Sequence, residues 1–142
     1  VFWAVYKFAL TTTANGTGLL TDVQAIAVTV TDVNEAPVIT SNGGGATASV
    51  SIPENTTAVT TVTATDEDTP AQTLTYTITG GADAALFTIN ATTGALSFIT
   101  APSFETPTDA GGNNVYDVQV TVTDNGTPNL SDVQDIAVTI TD

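Results

Sequence analysis

The sequence predicts an all-β fold, and three observations carry that expectation: abundant threonine, strict alternation of apolar and polar residues, and turn-forming clusters at short intervals. Threonine is the commonest residue, with 31 copies in 142 residues, and its branched side chain suits a pleated strand better than a helix. Tyr116, Val118, Val120 and Val122 alternate with Asp117, Gln119, Thr121 and Thr123, so each set lines one face of a strand. Ile136, Val138 and Ile140 repeat the pattern, as do Leu74, Tyr76 and Ile78. One apolar face per strand is expected of antiparallel sheets that are wet on one side. Asn42-Gly43-Gly44-Gly45, Gly80-Gly81, Thr93-Gly94, Gly111-Gly112 and Asn125-Gly126 supply the turns between runs. No long stretch has helical periodicity. Short strands at these spacings predict a seven-stranded immunoglobulin-like Greek-key sandwich.

The chain also repeats itself. Residues 11–32 align without gaps to 121–142, and Val5-Tyr6 matches Val115-Tyr116. Across 32 aligned pairs 17 are identical, at an offset of 110 residues, the size of one small sandwich domain. The expected organisation is therefore the last two strands of one repeat over 1–32, a short stiff connector over 33–37, and a complete repeat over 38–142. The opening VFWAVYKFAL lacks the basic start and small-residue cleavage site of a signal peptide, and reads as a strand. Trp3, Tyr6 and Phe8, alternately spaced, are expected in the core of the partial repeat rather than on a sugar-binding platform. Two strands cannot bury an apolar face alone. The upstream part of that repeat is therefore expected to be missing from this chain; the alternative is that the hairpin completes a partner's sheet by strand addition.

Charge narrows the function. Fifteen acids face one base, Lys7, for a formal net charge of −14. No basic patch exists to displace counterions from a nucleic acid, and an anionic membrane would repel the chain. With no His and no Cys, imidazole bases, thiolate nucleophiles, Cys/His zinc sites and disulfides are excluded. No apolar run reaches the roughly 18 residues that would span a bilayer. Paired carboxylates can serve a glycosidase, but these sit among Thr and Asn rather than in the apolar pocket that raises an acid's pKa. Five Asn-x-Ser/Thr triplets, at Asn15, Asn55, Asn90, Asn125 and Asn129, leave glycosylation open.

The acids are grouped at expected strand ends. Asp66-Glu67-Asp68 follows one strand, Asp124 closes another, Asp32-Val33-Asn34-Glu35 forms the connector, and Asp142 takes the connector's place one repeat later. Glu54 and Glu105 also fall at strand termini. Brought within about 5 Å, such carboxylates would repel by about 3 kcal/mol per pair at an effective dielectric near 20. No base lies near enough in sequence to neutralise them. A cation is the remaining partner, and oxygen-only ligands select a hard ion such as calcium (Ca2+) over zinc.

Together, the segments Val28–Pro37, Pro53-Glu54-Asn55, Ala64–Asp68, Phe87-Thr88-Ile89 with Thr93-Gly94, and Val122–Gly126 resemble the cadherin repeat. The likeness covers essentially the whole chain, and its flavour is similar to the tandem repeats of large bacterial surface adhesins. The resemblance implies calcium at the junctions between repeats. It assigns Asn34, a backbone carbonyl near Ala36, Asp66, Asp68 and Asp124 to one ion, and Asp32, the Val33 carbonyl, Glu35 and Asp68 to part of a second. Glu54, Glu105 and Asp142 match the first half of a further junction. Three positions depart from the pattern. Glu35 stands where animal cadherins usually have Asp. Ser103 replaces an acid two residues before Glu105, and Ala14 replaces the Asp found at 124 in the other copy.

The function expected on this basis is a non-enzymatic, calcium-stiffened structural and adhesive repeat of a large extracellular or cell-surface protein, bacterial in type. Its partners would be adjacent repeats of the same protein, other surface proteins, glycans, or like copies in a filament. Rival expectations are a filament subunit assembled by strand complementation and a carbohydrate-binding accessory module of a secreted hydrolase.

Overall fold

Strand pairing divides the chain into two compact units, residues 1–33 and 34–142. The computed structural model describes residues 3–18 and 20–142, the Trp3 side chain excepted. The strand expected at Val1-Phe2 and the core position expected for Trp3 lie outside the described residues.

The first unit is a hairpin of β1 (Trp3–Thr13) and β2 (Thr21–Thr31), antiparallel and in unbroken register from Trp3↔Thr31 to Thr13↔Thr21. Tyr6 and Phe8 are 55% and 58% exposed, so neither is a core residue. The cause is the hairpin's single layer. One repeat later, the counterparts of Tyr6, Phe8, Leu10, Ile26, Val28 and Val30 are Tyr116, Val118, Val120, Ile136, Val138 and Ile140, none more than 1% exposed. One pattern gives a bare face or a buried one, according to whether a second sheet covers it.

The second unit supplies that second sheet. Its elements are β3 (Val38–Ile39), β4 (Thr47–Pro53), β5 (Ala58–Thr61), β6 (Ala64–Thr65), β7 (Thr75–Gly80), β8 (Phe87–Ile89), β9 (Ala95–Phe98), β10 (Val115–Thr123) and β11 (Ser131–Thr141). One sheet runs β4-β11-β10-β7; across the core lie β5-β9-β8 and the short pair β3-β6. Among the described residues the only helical turns are 3-10, at Ser41–Gly43 and Ala84–Leu86, and no helix is long and apolar enough to cross a membrane.

Nine segments stand where seven uninterrupted strands were expected, because two strands break to change partners. Between β5 and β6 the Val62 N–H turns to Gly94 O (2.9 Å), while Thr63 O accepts from Thr40 N (2.8 Å). Between β3 and β4 the chain bends through Ser41–Gly43. Fully buried Gln134 holds that bend, donating to Gly45 O (2.8 Å) and accepting from Asn42 Nδ2 (3.3 Å). The sheets are also not wholly antiparallel, since β11 pairs with β4 in parallel.

Alternation fills the core as the pleat requires. Tyr116, Val118, Val120, Val122, Ile136, Val138 and Ile140 meet Val62, Phe87, Leu96 and Phe98. Phe98 lies 4.3 Å from Phe87 with the rings tilted by 30°, and edge-on to Tyr116 at 5.1 Å between ring centroids, the second a geometry that aromatic quadrupoles favour. Glycine is required at Gly94, where φ is +70° and a Cβ would overlap the Val62 carbonyl. In urea unfolding followed by circular dichroism, Phe98→Ala should cost about 3–5 kcal/mol. Phe8→Ala, on the bare hairpin face, should stay within about 0.5 kcal/mol.

Candidate metal centre

Three loops of the second unit meet at one end of the sandwich. Asp66 and Asp68 follow β6 as it leaves the sheet, Asp124 follows β10, and Asn34 precedes β3. One carboxylate oxygen from each of Asp66, Asp68 and Asp124 lies within 4.8 Å of the others. Asp68 and Asp124 are only 6% and 3% exposed.

Local hydrogen bonding explains why these groups stay in place. Asp124 Oδ1 accepts from Leu130 N (2.9 Å) and Gly126 N (3.1 Å), closing the loop after β10 upon itself. Its Oδ2 accepts from Asn34 Nδ2 (3.0 Å), which also donates to Pro128 O (2.9 Å). Gly126 makes room for that amide, because a Cβ there would overlap Asn34 Oδ1. Asp66 Oδ1 accepts the Asp68 N–H at 2.9 Å, and both Asp68 oxygens face Glu35 N at 3.3–3.4 Å. Gln72 Nε2 bridges Asn34 Oδ1 and Asp68 Oδ2.

The electrostatics of the two buried acids diverge. Burial would raise Asp124, but the Leu130 N–H, the Asn34 amide and the Gly126 N–H outweigh it and hold the carboxyl below its usual range. Asp68 is pushed up to about 6, by burial first and then by the hydrogen bond and charge of Asp66, against the Glu35 N–H. Backbone and amide donors favour the charged form at Asp124, whereas burial and the neighbouring Asp66 disfavour it at Asp68.

A second acidic group lies at the far end of β11. Glu54 follows β4, Asp142 follows β11 and Glu105 lies in the segment before β10, with one oxygen from each inside 4.8 Å. Glu54 Oε2 accepts from Phe104 N (3.0 Å), and Ser103 Oγ donates to Glu105 (3.2 Å). The eleven residues of β11, at about 3.3 Å each, separate the two groups by roughly 35 Å.

The other candidate ligands are simply located. Asp32 and Val33 close the first unit, after β2; Glu35 and Ala36 are exposed just before buried Pro37. Sequence reasoning missed Gln72, and it read Asn125-Gly126 as a turn within the repeat's motif and Asn129 as a glycosylation triplet without giving them a part in the site. Asn125 accepts from Thr73 N (2.8 Å) and Asn129 donates to Asp124 O (2.8 Å). It also missed two buried acids that lie outside these groups. Asp83 accepts from Ala110 N and Asp117 N (2.7 and 2.8 Å), and Asp109 from Asn113 N and Asn114 N (3.0 and 3.1 Å), so both anchor the segment leading into β10.

Fold and site together are those of an all-β sandwich module with carboxylates gathered on its end loops. This chain belongs to the cadherin domain family, whose profile matches residues 48–141. The cadherin domain is an extracellular structural and adhesive module, not an enzyme. The extracellular domain of protocadherin GammaB4 superposes with a TM-score of 0.73 at 23% identity, covering 97% of this chain and 22% of that one. Repeats 22–24 of mouse cadherin-23 give 0.71 at 20% identity, covering 97% and 42%. Repeats 1–3 of protocadherin gamma C5 give 0.71 at 28% identity, covering 96% and 43%. The chain spans less than half of each, and the likeness to the first two is one of fold. Halomucin from Haloquadratum walsbyi (strain DSM 16790 / HBSQ001) is 57% identical over 35 residues, 25% of this chain and a share of halomucin that rounds to 0%.

Cadherin domains typically bind calcium, and the donors suit it. They are oxygens without exception, and Asp66 Oδ2 is buried with no hydrogen-bond partner. An unsatisfied buried acceptor costs about 1–3 kcal/mol, which a cation beside it would offset. Asp66, Asp68, Asp124 and Asn34 would hold the ion, which supplies the positive charge that the loops lack.

Asp68 also makes the ion-free protein sensitive to pH. Its folded pKa is raised, so its contribution is fully present below the ordinary value of 3.8 and lost as pH rises through about 6. The depressed Asp124 and Asp109 lose theirs only below 3.8, so they do not mask the trend. Calcium-stripped protein should therefore melt at a lower temperature at pH 7 than at pH 5, and Asp68→Asn should flatten the slope.

Proposed function

We propose that this chain is a calcium-binding structural and adhesive repeat of a large extracellular or cell-surface protein, in which ions at the junctions between repeats stiffen a rod. One observation carries the reading: three carboxylate oxygens, from Asp66, Asp68 and Asp124, converge within 4.8 Å in a chain whose single base is Lys7, on β1. At that spacing each ionised pair repels by about 3 kcal/mol, and a hard divalent cation turns the repulsion into coordination.

The repeat boundaries in this reading are 1–32, 33–37 and 38–142. Asn34, a carbonyl near Ala36, Asp66, Asp68 and Asp124 hold one ion. Asp32, the Val33 carbonyl, Glu35 and Asp68 contribute to a second. Glu54, Glu105 and Asp142 begin the following junction, weakened by Ser103. A connector too short to pack sandwich against sandwich leaves a hinge that the ions lock. Adjacent repeats are the partners, and a bacterial-type surface protein is the setting. One related structure, of protocadherin gammaB7 repeats 3–6, is described as a cis-dimer, which supports like copies as further partners.

Extracellular sites of this kind bind at about 10⁻⁴–10⁻³ M. At 10 mM calcium, roughly ten- to a hundredfold above such a Kd, one site adds about 1.4–2.7 kcal/mol, which for a domain of this size raises Tm by about 5–10 °C. Calorimetry in 10 mM calcium against chelator should show that shift, and Asp66→Ala should remove it. Identical melts in calcium and chelator would sink the reading.

A further inference from the structure

Gln72 lies between β6 and β7, four residues beyond Asp68. Its Nε2 donates to Asp68 Oδ2 at 2.9 Å and also to Asn34 Oδ1. Its Oε1 is buried without a hydrogen-bond partner. The side chain therefore spends both amide hydrogens on two oxygens assigned above to the ion, and leaves its own acceptor unsatisfied. An NH2 group carries partial positive charge, and here it occupies the space between two acceptors that a cation would occupy.

The acceptors cannot readily turn away. Asn34 Nδ2 is committed to Asp124 and Pro128, which fixes Asn34 Oδ1 toward Gln72. Asp68 is held from the other side by Glu35 N. Gln72 is the adjustable member, since a half-turn of its terminal amide exchanges Oε1 and Nε2 with almost no change of shape. Without a cation that turn sets three oxygens against one another. With a cation it adds a neutral ligand in place of the donor, while Nε2 takes the position that Oε1 leaves.

We propose that Gln72 is a two-position group of this site. Without calcium its NH2 bridges Asn34 and Asp68 and keeps the loops assembled; with calcium the amide turns over and Oε1 joins the ligands. The inference rests on the calcium reading given above, and it makes the ion-free site preorganised rather than collapsed.

Three proteins separate the possibilities: wild type, Gln72→Leu and Gln72→Glu, each titrated with calcium by isothermal calorimetry and melted in chelator. Ligand charge and number tune such affinities. Gln72→Leu should therefore bind about tenfold more weakly, and Gln72→Glu should bind more tightly than wild type. Both should melt earlier in chelator, Gln72→Glu the more so, because it trades a donor for a fourth carboxylate. Equal affinity in all three would mean a purely structural glutamine and would overturn the proposal. Tighter binding by Gln72→Leu would mean a mere obstruction, and would overturn it too. Should the variants fail to fold, the wild-type Gln72 side-chain amide can be followed by NMR. A calcium-dependent shift of its Nε2 and Cδ signals is expected, and unmoved signals refute the turn. If wild type binds no calcium at all, the calcium reading itself has failed, a result distinct from any of the variant outcomes.

Discussion

Like charges held close together without a counter-base constrain everything else in the second unit. Asp68 and Asp124 are buried, so their fields are poorly screened, and the chain must supply donors to keep them there. It does so unequally. Asp124 is satisfied by the loop that follows it and by Asn34, whereas Asp68 leans on one long backbone contact and the Gln72 amide. The loops are thus shaped around carboxylates first, and the connector residues Asn34 and Glu35 belong to the sandwich because they donate to them.

The sandwich gives those loops a rigid base. β10 and β11 run the length of the unit with fully buried alternate side chains, so the positions of Asp124 at one end and Asp142 at the other are fixed by a shared register. A one-residue slip between them would turn Tyr116, Val118, Val120 and Val122 out of the core. The cost of such a slip is what makes the spacing of the two acidic groups definite. The aromatic cluster of Phe87, Phe98 and Tyr116 lies toward the same end as Glu54 and Glu105, and Tyr116 Oη, 3.1 Å from Thr108 N, ties that cluster to the segment carrying Glu105.

Much of this was legible in the sequence, for identifiable reasons. Period-two runs such as Tyr116–Thr123 specify both strand and buried face, because side chains alternate about a pleat. The acid groups were visible because Asp-x-Asp and Asp-Asn-Gly fall where those runs stop. What escaped was whatever depends on partners distant in the chain. The parallel pairing of β4 with β11 has no local signature. The break at Val62-Thr63 follows from a change of sheet rather than from a breaker residue, unlike the one at Ser41–Gly43, which the Asn42–Gly45 run marks. Tyr6 and Phe8 carry a core pattern with no second layer to complete it. Gln72 is one polar loop residue among many until Asn34 arrives from 38 positions away, and Asp83 and Asp109 look like ordinary surface acids until the backbone N–H groups that surround them are seen.

The parallel contact between β4 and β11 has a mechanical consequence. Chain enters β4 from one end of the sandwich and leaves β11 at the other, with Thr47 beside Asp135 and Pro53 beside Thr141. A pull applied through Asn34 and Asp142 slides these two strands past each other along their length, so the rungs between them are strained together instead of peeling apart singly. Tension along the chain is borne collectively by that ladder, the geometry in which a small all-β unit resists extension best.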